Sequence, residues 1–242
     1  MAGGPAAVVY KAFTTTDLAA AIGGIRALGI RGCGVSMPYK EACIRYVDAM
    51  DDSAAAIQSV NTIVNTQGHL RAYNTDYLAI ARLLAEHEVD PGSTFAVLGG
   101  GGMAKAVVAA LRDAGFSSGT VVARNQQTGT VLADEYGYTW RADLGPDRPR
   151  LVVNATPVGM SGGPAAADLP VEPDVVDSAE TVFDVVAMPA ITPLVRRGQA
   201  QGKKVITGGE VASLQALEQF VLYTGVRPTD EQARRAAEFA RS

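Results

Sequence analysis

At 242 residues the chain is too long for one small core and suits one large or two modest domains, of which two are expected. With 48% apolar and only 19% charged residues, it builds a sizeable core and leaves disorder to its ends. The net charge of -4 is spread over interspersed acidic and basic residues, without the basic stripe a nucleic-acid partner requires, and no apolar run reaches the ~18 residues of a membrane span.

The N-terminal stretch lacks a charged region followed by a long apolar run, so a protein that is soluble and not exported is expected. "AAVVYKAF" has the pattern of a strand and "TTDLAAAIGGIRALG" that of a helix capped by Thr16 or Asp17. "GCGVSMPYKE" then reads as a short strand running into a turn at Pro38, with Lys40 just beyond it and a helix from about Lys40. Its Cys33, with Cys43, makes up the cysteine complement; neither lies in a C-x-x-C pair, which suits reduced thiols in a cytoplasmic protein and gives no support to a metal site. A second helical segment around "SAAAIQSV" stops before Asn61, and "TIVNTQGHLRAYNTD" carries two strands about a Gln67-Gly68 hairpin turn.

From "YLAIARLLAEH" onward the pattern changes. Strand "TFAVLG", helix "MAKAVVAALRDAG", strand "TVVAR" and helix "QQTGTVLADEYG" alternate, which implies parallel strands joined by right-handed crossovers. "RLVVNAT", "TVFDVV" and "KKVITG" supply three more strands, with a helix around "TPLVRRGQAQG". "SLQALEQFVLYTG" and "DEQARRAAEFARS" close the chain as helices with Pro228 at their junction.

The sharpest local signal is "FAVLGGGGMAKAVV", where Gly99, Gly101 and Ala104 fit G-x-G-x-x-A between a strand and a helix, with Gly100, Gly102 and Met103 completing the loop. Gly99 permits the tight turn, Gly101 lets the backbone approach a pyrophosphate, and Ala104 keeps the helix close to the sheet. A glycine-rich turn without a ligand is the alternative. About 20 residues on, where an NAD site places an acid against the ribose, Ala123 and Arg124 stand instead, followed by Asn125. A guanidinium there can hold a 2′-phosphate, which favours NADP; a solvated surface arginine is the other reading, but the missing acid counts separately against NAD.

Hydride exchange with an alcohol needs a group that moves the hydroxyl proton. His69 lies at the hairpin turn and His87 at a polar helix end, and neither is expected to be buried or paired. Lys40 is the better candidate if an acid faces it, and Asp76 of "AYNTDYLAI" offers that acid.

"GCGVSMPYKE", "SVNTIVN", "AYNTD", "GGGGMAKA", "NATPVGM" and "GGEVASLQALEQF" resemble, in order, the motif series of shikimate dehydrogenases, over almost the whole chain. The resemblance implies an α/β fold made of an N-terminal substrate domain, a Rossmann NADP-binding domain and C-terminal helices that return to the first domain. Residues 1–76 and 209–242 would form the substrate and catalytic part, and 77–208 the nucleotide part. It further implies that Lys40 and Asp76 are catalytic, that Ser36, Asn61 and Gln215 bind substrate, and that Gly99 to Ala104, Ala123, Arg124, Asn125, Thr156, Val185 and Gly208 contact NADP. A cytoplasmic enzyme of aromatic amino acid biosynthesis, monomeric or homodimeric, is the implied setting.

Departures from the family cluster in the substrate site. The chain starts at what resembles the family's second strand, without the serine loop that holds the substrate carboxylate, so a shortened N-terminus is expected. The family's asparagine before V-[ST] is Gly34, its tyrosine after "FDVV" is Ala187, and Glu210 and Val211 replace a glycine and a methionine, which puts a carboxylate near the nicotinamide end. These departures resemble a divergent, shikimate 5-dehydrogenase-like branch. The function implied is NADP-dependent hydride transfer to or from the ring hydroxyl of shikimate or a related cyclic hydroxy acid, with a quinate-type or other substrate, or a non-catalytic NADP-binding module, as the alternatives.

Overall fold

The structure is a computed structural model that describes residues 8–36 and 38–239. Its first part is a small mixed sheet with one helix against it. Helix α1 (Leu18–Ala27) starts at Asp17, whose carboxylate accepts the Ala20 N–H at 2.9 Å, and it buries Ile22 and Ile25. Strands β1 (Gly32–Gly34), β2 (Ala49–Met50), β3 (Thr62–Thr66) and β4 (His69–Tyr73) pair in the order β1-β3-β4-β2. β3 and β4 form the hairpin foreseen at Gln67-Gly68, where φ values of 53° and 88° give the left-handed turn that matches strand twist. Along β4, Leu70 and Ala72 face the core while His69 and Arg71 face water, the alternation of a half-buried strand.

Two expectations fail in this part. Residues 8–13 of "AAVVYKAF" form no strand; Val8, Val9, Tyr10 and Phe13 are exposed, and Ala6 and Ala7 lie outside the described residues. Strand propensity needs a partner ladder, and β1, the edge of the sheet, makes no backbone pairing with this segment. No α-helix starts at Lys40 either. Cys43 donates to the Tyr39 carbonyl and Ile44 to that of Glu41, one turn that runs into a short 3-10 helix (Ile44–Tyr46) before the chain is drawn into β2. Asp48 fixes that path by accepting the Leu70 N–H at 2.7 Å and pairing with Arg26 at 2.8 Å.

A short helix α2 (Asp52–Ala55) precedes β3, and α3 (Thr75–Glu86) leaves the hairpin, capped by the Asn74 side chain. α3 carries Asp76 in its first turn and then buries Ala79, Ile80, Leu83 and Leu84 in the core of a second sheet. That sheet is wholly parallel and six-stranded: β5 (Phe95–Leu98), β6 (Gly119–Val122), β7 (Thr139–Arg141), β8 (Leu151–Asn154), β9 (Thr181–Asp184) and β10 (Lys204–Ile206) lie in the order β10-β9-β8-β5-β6-β7. Helices α4 (Gly102–Asp113), α5 (Gln126–Tyr136), α6 (Pro173–Ser178) and α7 (Pro193–Ala200) make the crossovers. β5 and β8 are buried along their whole length, as strands covered on both faces must be. From β5 the chain winds outward to β7, then returns to β8 on the other side, so a crevice opens outside the carboxyl ends of β5 and β8.

Helix α8 (Gly208–Thr224) lies along α3 and then reaches back to the first sheet, and α9 (Asp230–Phe239) follows it. A reciprocal cap between Thr207 and Glu210 starts α8, and Gly225 ends it at φ 72°. The Glu210 carboxylate is engaged within the chain: one oxygen accepts from Thr207 N and Oγ1, and the other lies 2.9 Å from His87 Nε2. His87, expected to be unpaired, thus ties the end of α3 to the start of α8.

Candidate active site

The crevice is shaped by glycines where side chains would block it. Gly99 leaves β5 at φ 117°, and a Cβ there would come within 2.8 Å of the Ala155 carbonyl. A Cβ at Gly101 would meet no atom within 4 Å, so open space lies over the start of α4, whose N-terminus has no side-chain cap. Uncapped N–H groups beside such space suit a dinucleotide pyrophosphate. Ala104 is fully buried and lets α4 sit close on the sheet, and Met103 packs against the same core. A Cβ at Gly100 would touch Ala123 and Thr128 at 3.4 Å, which brings the end of β6 against the loop. Arg124 is exposed and has no side-chain partner among the described residues, whereas Asn125 spends its side-chain oxygen on the Thr128 N–H as the cap of α5.

The far wall is built at the ends of β8 and β9. Thr156 approaches the Gly99 Cβ position at 3.4 Å and donates to Asn154 Oδ1 at 2.6 Å. Asn154 in turn donates to Asp184, which also accepts from Thr192 Oγ1 at 2.6 Å and from Val186 N at 3.0 Å. Burial pushes the Asp184 carboxyl above its ordinary range, against the lowering effect of these three hydrogen bonds. Val185 follows β9, its N–H donating to the Asn154 carbonyl. Gly208 brings α8 against this wall, since a Cβ there would lie 2.3 Å from the Val186 carbonyl.

Opposite the glycine loop stands the lysine of "GCGVSMPYKE". Lys40 Nζ lies 2.6 Å from Asp76 Oδ2, with side-chain exposures of 19% and 6%. Its carbonyl accepts the Val60 N–H at 2.8 Å, which fixes the turn. Asp76 sits in the first turn of α3, where the helix dipole favours a carboxylate. A Cβ at Gly102 would lie 4.0 Å from Lys40 Cδ and 3.8 Å from Ser59 Oγ, a buried hydroxyl with no hydrogen-bond partner among the described residues. Glu41 and Lys105 bridge the same junction at 2.5 Å.

Asn61 is buried behind the pair. Its Oδ1 accepts from Thr75 N at 2.8 Å and Thr62 Oγ1 at 2.9 Å, and its Nδ2 donates to Thr75 Oγ1 at 3.0 Å. Gln219, from α8, donates to Thr62 Oγ1 at 2.9 Å and extends this network. Ser36 is exposed and Gln215 half-buried, and neither side chain has a hydrogen-bond partner among the described residues. Thr62, Thr75, Gln219 and the Glu41–Lys105 pair were not foreseen; the one available signal was that Gln219 lies a helical turn beyond Gln215.

A dinucleotide crevice at the reversal of a parallel sheet, faced by a lysine paired to a buried carboxylate, defines a nicotinamide-dependent oxidoreductase. Comparison with known proteins narrows the class. Residues 4–63 match the family of the shikimate dehydrogenase substrate binding domain. The shikimate dehydrogenase-like protein of Haemophilus influenzae is 51% identical over 97% of this chain and 86% of its own length. The NADP(+) shikimate dehydrogenase of Moorella thermoacetica is 38% identical over 90% and 78%. Among solved structures, a shikimate 5-dehydrogenase-like protein superimposes with a TM-score of 0.92 at 51% identity, over 97% of this chain and 87% of that one. The Thermus thermophilus shikimate 5-dehydrogenase in complex with NADP(H) and shikimate gives 0.81 at 31%, over 92% and 84%. The quinate dehydrogenase of Corynebacterium glutamicum in complex with NAD gives 0.83 at 27%, over 93% and 83%. The chain belongs to the shikimate dehydrogenase family, and its greater likeness to the relative named dehydrogenase-like fits a divergent branch of it.

Proposed function

We propose that the protein is an NADP-dependent oxidoreductase that interconverts a ring hydroxyl and a ring ketone in shikimate or a related cyclic hydroxy acid. The observation that carries this is the Lys40–Asp76 pair at 2.6 Å, held against Gly102 at the mouth of the glycine loop. A binding module has no use for such a pair there. The open space over Gly101, the uncapped start of α4 and the unpartnered Arg124 fit the dinucleotide: the loop Gly99–Ala104 would hold its pyrophosphate, Arg124 its 2′-phosphate, with Ala123, Asn125, Thr156, Val185 and Gly208 around it. When bound, oxidised NADP would supply the acceptor for the hydride of the carbinol carbon.

In that oxidation Lys40 Nζ, acting as the neutral amine, takes the proton of the same hydroxyl and becomes the ammonium, so that a ketone is left, and in the reverse direction the ammonium gives that proton to the forming alkoxide. Asp76 orients Nζ and balances its positive charge. Ser36 and Gln215 offer free polar groups to the ring, while Asn61 acts mainly by holding Thr75, and with it the start of α3, in place. Residues 1–76 with 209–242 serve the substrate and residues 77–208 the nucleotide. Cytoplasmic residence is part of this reading, and no helix among the described residues is long and apolar enough to cross a membrane.

The quinate dehydrogenase likeness makes quinate the second substrate reading. An NADP-linked oxidation screen over shikimate, quinate and other cyclic hydroxy acids separates them. On the acid that is turned over, Lys40→Ala is expected to lower kcat by about 10²–10⁴-fold with NADP binding nearly intact. Full turnover in Lys40→Ala would remove the lysine from the mechanism.

A further inference from the structure

Four side chains behind the Lys40–Asp76 pair form a buried line of hydrogen bonds from α8 to the start of α3. Gln219 Nε2 donates to Thr62 Oγ1 at 2.9 Å, Thr62 Oγ1 donates to Asn61 Oδ1 at 2.9 Å, and that same oxygen accepts the Thr75 N–H at 2.8 Å. Asn61 Nδ2 completes the line by donating to Thr75 Oγ1 at 3.0 Å. All four residues are buried, and Asp76, which follows Thr75, is buried with them.

The line has a direction. The Thr75 N–H is a fixed donor, so the Asn61 oxygen must face it; a flipped amide would set donor against donor. Thr62 has one hydroxyl proton and two oxygens in reach, Asn61 Oδ1 at 2.9 Å and Thr75 Oγ1 at 3.4 Å. By donating to Thr62, Gln219 takes up a lone pair of that hydroxyl and leaves its proton for Asn61. Without the amide, a buried lone pair goes unpaired and the hydroxyl is free to turn.

The consequence falls on Asp76. The chain enters α3 through Asn74, whose Nδ2 donates to the Ser59 carbonyl at 2.8 Å and whose N–H donates to Ser53 Oγ at 3.1 Å. Held at Asn74 alone, the first turn can pivot. Thr75 is the second fixed point, and it sets the direction from which the Asp76 carboxylate meets Lys40 Nζ at 2.6 Å.

We infer that Gln219 is a positioning residue for proton transfer: through Thr62, Asn61 and Thr75 it keeps the Asp76 carboxylate aimed at Lys40 Nζ. This rests on the proposed function and adds a residue of α8 to the groups that serve it. The plainer alternative is that Gln219 satisfies a buried hydroxyl and adds stability without bearing on the rate.

The test uses the full chain, with shikimate and quinate as the acids. We would measure kcat and KM for NADP-linked oxidation, the Kd of NADP and the hydrogen exchange of the Thr75 amide. The variants are Gln219→Met, Thr62→Val, Thr62→Ser and the double variant Gln219→Met with Thr62→Val. Gln219→Met and Thr62→Val are each expected to lower kcat by about three- to tenfold, the scale of one buried hydrogen bond, with KM and the NADP Kd within about twofold. The Thr75 amide should exchange about tenfold faster in both. Thr62→Ser keeps the hydroxyl and should stay within about twofold of wild type in kcat. The double variant should lose no more than the larger single loss, because both substitutions act on one line. Thr62→Val keeps the shape of the wild-type side chain, so it gives the answer even if Gln219→Met does not fold. Unchanged kcat in the single variants overturns the inference, as does unchanged Thr75 exchange. KM and Kd that rise as far as kcat falls, or losses that add in the double variant, mean a general loosening and also overturn it. Oxidation of neither acid by wild type overturns the proposed function instead, and the positioning role with it.

Discussion

Lys40 is long, flexible and charged, and such a side chain does not rest in a half-buried cleft without a fixed counter-charge. Asp76 supplies it at 2.6 Å, itself oriented by its place at a helix start and by the Thr75–Asn61 hydrogen bonds behind it. Arg124 is the opposite case, an exposed cation without a side-chain partner among the described residues. That is the state expected of a group waiting for a phosphate. Wild type should therefore bind NADP at least about tenfold more tightly than NAD, and Arg124→Ala should erase most of that preference by weakening NADP while leaving NAD unchanged. Fluorescence titration of both cofactors decides it; equal affinities in wild type would remove Arg124 from the site.

At the scale of elements, α8 is the part that joins the glycine crevice to the first sheet. Its start is possible because residue 208 has no side chain: Gly208→Ala would place a Cβ 2.3 Å from backbone atoms of Val186. Backbone cannot swing aside as a side-chain tip can, so a stability loss of ~1–3 kcal/mol is expected, read as a lower midpoint in urea. A stability indistinguishable from wild type would show that α8 is free to shift. Asp48 joins α1, β2 and β4 in the same way for the first sheet. The Leu70 N–H and then the Arg26 guanidinium hold its carboxyl below the ordinary value of 3.8. With the folded value below the unfolded one, its stabilisation is complete above the unfolded value and is lost as pH falls through the folded one. Thermal midpoints measured from pH 6 down to pH 3 should therefore fall more steeply for wild type than for Asp48→Asn. Parallel curves would mean that the carboxylate contributes no pH-dependent stability.

The whole molecule holds two sheets with separate cores, spanned by α3 and α8 and by the Glu41–Lys105 pair at the crevice. That exposed pair is worth at most ~1 kcal/mol, so the helices set the relative position of the halves. A ligand seated on the glycine loop adds stability only by favouring the folded state. At 100 times its Kd, NADP should add ~2.7 kcal/mol and raise Tm by roughly 5–10 °C in a chain of this size. Lys40→Ala should keep this shift and Arg124→Ala should lose much of it. A scan in which NADP leaves the wild-type Tm unmoved would count against the dinucleotide site itself.

The sequence by itself determined the features that depend on neighbours in the chain. The hairpin at Gln67-Gly68, the alternation of strands and helices from β5 onward and the glycines between β5 and α4 are local rules of backbone and period, and they could be read directly. Lys40 and Asp76 could be named because their motifs resemble a known series, although 36 residues separate them. Only the tertiary structure decided the rest. "AAVVYKAF" has the composition of a strand, but a strand exists only if an edge receives it. The turn at Lys40 lost its helix to the path into β2, and the short strands β2 and β7 are defined by their partners rather than by any period of their own. Glu210, which stands where the family has a glycine, was expected to put a carboxylate near the nicotinamide end, and only the folded chain shows that carboxylate engaged by the start of α8 and by His87. Tyr10 and Gln219 both approach Gly34 from near opposite ends of the chain, and no pattern in the sequence announces a contact that three separate elements must fold to make.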